Sequence, residues 1–95
     1  MTAEALEAAV TPRTRVLVFN NPLNPAGRAF DVDEVEAVAA VCRRHDLIAV
    51  TDEVWERLVY DDRQHVSLAA VPGMFERTLK IGSAGKLFGL TGWKV

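Results

Sequence analysis

The sequence lacks most of the features that mark whole classes of protein. A single cysteine, Cys42, stands in 95 residues, so no internal disulfide can form and no cysteine cluster is available for a metal. It sits among apolar residues at helical spacing, which gives it the role of a small buried side chain. Neither sign of charge dominates, since 11 lysines and arginines face 13 aspartates and glutamates for a formal net charge of −2. That balance gives no electrostatic footing for nucleic acid or an anionic membrane, and a small molecule fits better as partner. Apolar runs such as Leu47 to Val50 fall far short of the roughly 20 residues that span a bilayer. The start carries no basic-then-apolar leader pattern, which points to the cytoplasm. Repeats, linkers and low-complexity tracts are missing, so one domain at most is expected. A chain this short buries only about 60 to 65% of the surface its unfolded form exposes, too little for a large independent core.

What is present reads as a folded α/β chain, with 49% hydrophobic and 25% charged residues. Thr2 is placed to cap a short helix through Ala3, Leu6, Ala9 and Val10, which Pro12 stops. Val16-Leu17-Val18-Phe19 is a continuous apolar run, the pattern of a parallel strand buried on both faces. It leads into Asn20-Asn21-Pro22-Leu23-Asn24-Pro25-Ala26-Gly27, a loop dense in turn formers. Asp31, with Glu34 three residues on, forms a capping box for a helix near 32–45 that turns Val35, Val38, Ala39 and Cys42 to one face. His45 closes that helix, where it complements the dipole. Leu47 to Thr51 makes a second buried strand, and strand, helix, strand in this order is a parallel crossover unit. From Glu53 to Glu76 turn signals outnumber periodic segments, and no regular element is expected; His65, among polar turn residues, receives no function. A third strand covers Thr78 to Ser83. Parallel strands are therefore expected near 15–20, 47–52 and 78–83.

Open parallel sheets bind ligands beyond the carboxyl ends of their strands. The polar residues there are Asn24, Asp52, Ser83 and Lys86. A carboxylate and a lysine at buried strand ends are costly to desolvate unpaired, and together they suit an aromatic ligand with a phosphate, an aldehyde and a ring nitrogen.

Four motifs in order carry a resemblance to a known family: Asn21-Pro22-Leu23-Asn24-Pro25-Ala26-Gly27, Thr51-Asp52-Glu53-Val54-Trp55-Glu56, Pro72 to Thr78, and Ser83-Ala84-Gly85-Lys86-Leu87-Phe88 running into Thr91-Gly92-Trp93-Lys94. Over essentially its whole length the chain resembles the class I and II aminotransferases of the aspartate aminotransferase superfamily (fold type I), closest to the kynurenine, glutamine or methionine transaminase branch. The resemblance implies a three-layer α/β segment of the large domain that binds pyridoxal 5'-phosphate, with the N-terminal part and the C-terminal small domain lying outside these residues. It implies that Lys86 bonds covalently to the cofactor and then shuttles a proton, and that Asp52 pairs with the ring nitrogen. Asn24 would donate to the ring's phenolic oxygen, from a loop whose Asn24-Pro25 bond is expected to be cis. Ser83 and Lys94 match phosphate-binding positions. Trp55 stands where most relatives carry a tyrosine, so its indole either packs or reaches the ring from a different position. Trp55 and Trp93 are weighted toward packing.

The implied substrates are an amino acid and a 2-oxo acid, in a full-length homodimer. Donor identity rests on parts absent here. Other enzymes of the fold that use the same cofactor, such as lyases, decarboxylases and synthases, share the lysine and aspartate. A phosphate-loop reading of Gly82-Ser83-Ala84-Gly85-Lys86 fails on spacing, because Lys80 stands where the first glycine belongs and Leu87 replaces the required hydroxyl. The 95 residues alone are expected to be catalytically inert. With sheet faces and edges uncovered, they are expected to be marginally stable or to self-associate.

Overall fold

The computed structural model describes residues 1–93; Lys94 lies outside the described residues. Three strands, β1 (Val16–Asn20), β2 (Ile48–Asp52) and β3 (Thr78–Ile81), form one parallel sheet in the order β1-β2-β3. Val16 pairs with Ile48 and Asn20 with Asp52, while Asp52 pairs on its other side with Ile81. All three strands thus end together at one rim.

Helix α1 (Ala3–Glu7) is shorter than its apolar spacing suggested, with Thr2 Oγ1 accepting from the Ala5 N–H at 3.3 Å. Helix α2 (Val32–Arg44) joins β1 to β2. Its capping box forms as the sequence indicated: Asp31 accepts from the Glu34 N–H at 2.9 Å and Glu34 accepts from the Asp31 N–H at 3.3 Å. Asp33 and Glu34 near its start and Arg43 and Arg44 near its end complement the helix dipole. The inward stripe of Val35, Val38, Ala39, Val41 and Cys42 is buried against Phe19 and Ala49 of the sheet and against Leu47, Leu68 and Met74. Each fully buried branched side chain contributes about 1.5 to 3 kcal/mol, and this single cluster is the core. The stretch between β2 and β3 holds only two 3-10 turns, Leu68–Ala70 and Phe75–Arg77. Leu68 and Met74 from this stretch nevertheless plug the core.

The expectation that the strands are buried on both faces needs correction. Phe19, Ala49 and Thr51 point toward α2 and are buried, whereas Val18 is 75% and Leu79 64% exposed. Val16, Ile48 and Ile81 share that open face. Successive residues of a strand point to opposite sides, and among the described residues a covering layer exists for one side only. The continuous apolar pattern encodes a second layer that these residues do not supply.

Candidate functional site at the carboxyl rim of the sheet

Asp52 ends β2, half-buried, on the open face of the sheet. The next residue, Glu53, points the other way and is 1% exposed. The Asp52 carboxylate accepts from the Val54 N–H at 3.2 Å, a local side-chain turn at the strand end. Two residues later the chain places Trp55 beside the β1 loop, where Asn24, Pro25, Trp55, Leu58 and Tyr60 line a cavity of about 300 Å³.

The loop after β1 is built by asparagines with separate tasks. Asn21 is buried; its Oδ1 accepts from the Phe30 N–H at 3.1 Å and its Nδ2 donates to the Val66 carbonyl at 3.3 Å. It ties the loop to the core. Asn24 is exposed at the cavity. Both X-Pro bonds, Asn21-Pro22 and Asn24-Pro25, are cis, the second as the motif led us to expect. Gly27 takes a φ of 65°, a left-handed turn that only glycine adopts at no steric cost.

Lys86 lies on a one-turn helix, α3 (Ala84–Leu87), that follows β3. Ser83 caps it, its Oγ accepting from the Lys86 N–H at 3.3 Å. Gly85 is glycine for a packing reason: a Cβ there would stand 3.2 Å from the Thr91 Cα. The Thr91 hydroxyl donates to the Gly85 carbonyl at 3.0 Å, which locks this turn. The Lys86 side chain is exposed, and its Nζ lies 5.3 Å from the centroid of the Trp55 ring, within cation–π range. Among the described residues no carboxylate pairs with it.

Trp55 therefore connects the Lys86 amine on one side with the Asn24 cavity on the other. Its indole is half-buried and lines that cavity. Asp52 adjoins the same loop through Asn20, and Ser83 starts the turn that presents Lys86. Asn24, Asp52, Ser83 and Lys86 thus all lie at or beyond the carboxyl ends of the three strands, with Lys86 beside Trp55 and Asn24 on the cavity that Trp55 lines.

Behind it lies a feature the sequence did not reveal. Glu53 accepts hydrogen bonds from His65 Nε2 at 2.9 Å and the Ser67 hydroxyl at 3.0 Å, and pairs with Lys80 at 3.2 Å. Lys80 also pairs with Glu56. Burial alone would raise the Glu53 pKa, but the bonds from His65, Ser67 and Lys80 outweigh it and hold the carboxyl at about 2. Atoms of Glu53, Glu56 and His65 lie within 4.8 Å of one another, close enough to share a metal ion. The Lys80 ammonium bonds both carboxylates and already supplies the positive charge there. No helix among the described residues is long and apolar enough to cross a membrane.

The family model for aminotransferase class I and II matches residues 1–95. Mouse kynurenine–oxoglutarate transaminase 1 is 57% identical over 90 residues, which cover 95% of this chain and 21% of that protein. The solved N-succinyldiaminopimelate aminotransferase from Mycobacterium tuberculosis is 48% identical and superposes with a TM-score of 0.94, covering 99% of this chain and 24% of that one. An aromatic aminotransferase from Pyrococcus horikoshii OT3 is 41% identical with a TM-score of 0.92, covering 98% of this chain and 25% of that chain. The chain spans about a fifth of the length of the curated relatives it matches.

Proposed function

The chain belongs to the class I and II aminotransferase family, and from that premise we propose that it forms the cofactor-attaching part of the large domain of a longer, pyridoxal-phosphate-dependent enzyme. That enzyme moves an amino group from an amino acid to a 2-oxo acid. The observation that supports this reading is the placement of Lys86 beside Trp55, of Trp55 and Asn24 on one cavity, and of Asp52 at the adjoining strand end of a parallel sheet. The donor set fits the cofactor: an accessible amine without a counter-ion for its aldehyde, a carboxylate for its ring nitrogen, an amide for its ring oxygen and a hydroxyl for its phosphate.

Bound pyridoxal phosphate would supply an aldehyde to take the amino group and a ring to accept the electrons released at the substrate α-carbon. Lys86 would anchor it and, once its amine is released, carry the α-proton. Asp52 would keep a proton on the ring nitrogen. Asn24 would donate a hydrogen bond to the ring oxygen, and the Trp55 indole, beside Lys86, would form one wall of the site. Ser83, joined by Lys94, would receive the phosphate.

The remaining parts of the large domain, the small domain and a second subunit would complete the site, so a homodimer is the proposed active unit and the cytoplasm its proposed place. Resemblance to the kynurenine transaminase branch supports aromatic, sulfur-containing or glutamine-like donors. The open sheet face supports a companion reading for residues 1–95 alone: without their covering layer they are catalytically inert.

Adding pyridoxal phosphate to the intact enzyme, reducing with borohydride and mapping the modified peptide should place the label on Lys86. A label on another lysine, or none, would refute the assignment. Assays of the 95-residue chain with several donor and acceptor pairs should show no turnover.

A further inference from the structure

Asn20 is the last residue of β1 and the register partner of Asp52. Its side-chain amide makes two bonds to two different parts of the rim. Nδ2 donates to the Asp52 carbonyl at 3.0 Å, and Oδ1 accepts from the Asn24 N–H at 2.8 Å. The Asp52 carbonyl also accepts from the Asn21 N–H at 3.0 Å, so the strand ends would stay paired without the Asn20 side chain. The Asn24 N–H has no such second partner among the described residues. Asn24 begins a cis Asn-Pro unit on an exposed loop that is closed at Leu23, whose N–H donates to the Arg28 carbonyl at 2.7 Å and whose carbonyl accepts from the Gly27 N–H at 2.8 Å; among the described residues the Asn20 bond is the one that ties Asn24 itself to the end of β1.

We propose that Asn20 is a positioning residue that fixes the spacing between Asn24 and Asp52, and so gauges the width of the ring held between them. The inference rests on the reading of Asn24 and Asp52 as contacts to the ring oxygen and the ring nitrogen. Those two ring atoms are held rigidly apart by the aromatic ring itself. A loop carrying one contact and a strand end carrying the other must therefore keep a matching separation, and a planar amide bonded to both backbones provides it. A purely structural side chain at this position would need only to complete the sheet edge, which the Asn21 N–H already does. A lost neutral hydrogen bond costs about 0.5 to 1.5 kcal/mol, enough to misplace an exposed loop while leaving a core built on α2 intact.

Asn20→Leu removes both bonds at nearly constant volume, and the test is made in the intact enzyme. With pyridoxal phosphate bound, the pH midpoint of the cofactor's visible absorption should shift upward by about half a unit to one unit, as a weakened donor to the ring oxygen requires. Cofactor affinity should fall about tenfold. The thermal midpoint of the cofactor-free protein should move by no more than about 2 °C. Amide exchange in residues 21–28 should accelerate while exchange in 35–44 stays unchanged. An unmoved absorption midpoint in a folded variant overturns the proposal. So does a lower thermal midpoint accompanied by unchanged affinity and absorption, which is the signature of a structural role only. If Asn20→Leu fails to fold, Asn20→Ser removes the reach to Asn24 with less disturbance, and the same outcomes decide. Should the cofactor attach elsewhere than Lys86, the functional reading fails. The exchange measurement still separates that failure from this one, because unchanged exchange at residues 21–28 removes the bridge whatever the cofactor does.

Discussion

Asp52 and Glu53 are adjacent carboxylates on opposite faces of one strand end, and their surroundings could hardly differ more. Glu53 is buried with three donors around it and a carboxyl pKa of about 2. Asp52 is half-buried, and among the described residues a single backbone N–H reaches its carboxylate. Strand alternation puts one residue toward the polypeptide and the other toward the open rim. A fully partnered carboxylate has its hydrogen-bonding capacity spent on the fold, while a sparsely partnered one at a rim retains capacity for a ligand. The same contrast separates Lys80 from Lys86: Lys80 is held by Glu53 and Glu56, whereas Lys86 stands beside an indole ring with no carboxylate partner among the described residues.

The sharpest way to break this contrast is to remove the unpaired amine. Lys86→Ala in the intact enzyme should lower amino-transfer activity at least about a thousandfold, since it deletes both the attachment and the proton carrier. Its thermal midpoint without cofactor should stay near that of the parent, because the side chain is exposed. Differential scanning calorimetry beside steady-state kinetics measures both.

Glu53→Gln should do the reverse, costing roughly 3 kcal/mol of stability because it leaves Lys80 and His65 around a neutral amide in a buried place. The pH dependence has a definite sign. The folded pKa of about 2 lies below the ordinary value of 4.5, so the stabilisation is complete above about 4.5 and disappears as the pH falls through about 2. Urea midpoints recorded from pH 6 to pH 2 should show the parent converging on Glu53→Gln at the acid end. A constant gap across that range would contradict the role given to the Glu53 carboxylate.

Asp52→Asn should sit between these effects for activity and near zero for stability. A lost charge-assisted bond of about 1.5 to 3 kcal/mol lowers kcat roughly ten- to a hundredfold. Unfolding in urea should change by less than about 0.5 kcal/mol. The smallest effect on activity is expected at Gly85→Ala, where the added methyl must push the Thr91 backbone away by a few tenths of an ångström. That costs about 1 kcal/mol and tilts the turn bearing Lys86, so the rate of cofactor attachment should fall before stability does.

These contrasts also explain what could be read in advance. The capping box at Asp31 and Glu34, the stripe of α2 and the three strands follow from local rules that the chain obeys. Asn24, Asp52, Ser83 and Lys86 could be named as candidates because ligand chemistry at strand ends and a family motif pointed to the same places. Glu53 was not, because a glutamate after a strand reads as surface unless its donors are known. Those donors, His65, Ser67 and Lys80, arrive from segments 12 to 27 residues away. Asn20 was hidden for a related reason: inside Asn20-Asn21-Pro22 it reads as a turn former, and only the pairing of β1 with β2 sets it beside Asp52. The open face of the sheet taught the opposite lesson. Val16, Val18, Leu79 and Ile81 carry a pattern written for a second layer, and only the folded chain reveals that the layer is not among these residues.

The direct test of the shared rim is a crystal structure of the intact enzyme with pyridoxal phosphate bound. We expect the Lys86 Nζ joined to the cofactor, with an Asp52 carboxylate oxygen about 3 Å from the ring nitrogen and the Asn24 amide at the ring oxygen. A cofactor seated elsewhere, or an Asp52 carboxylate turned away from the ring while Lys86 holds it, would contradict the account.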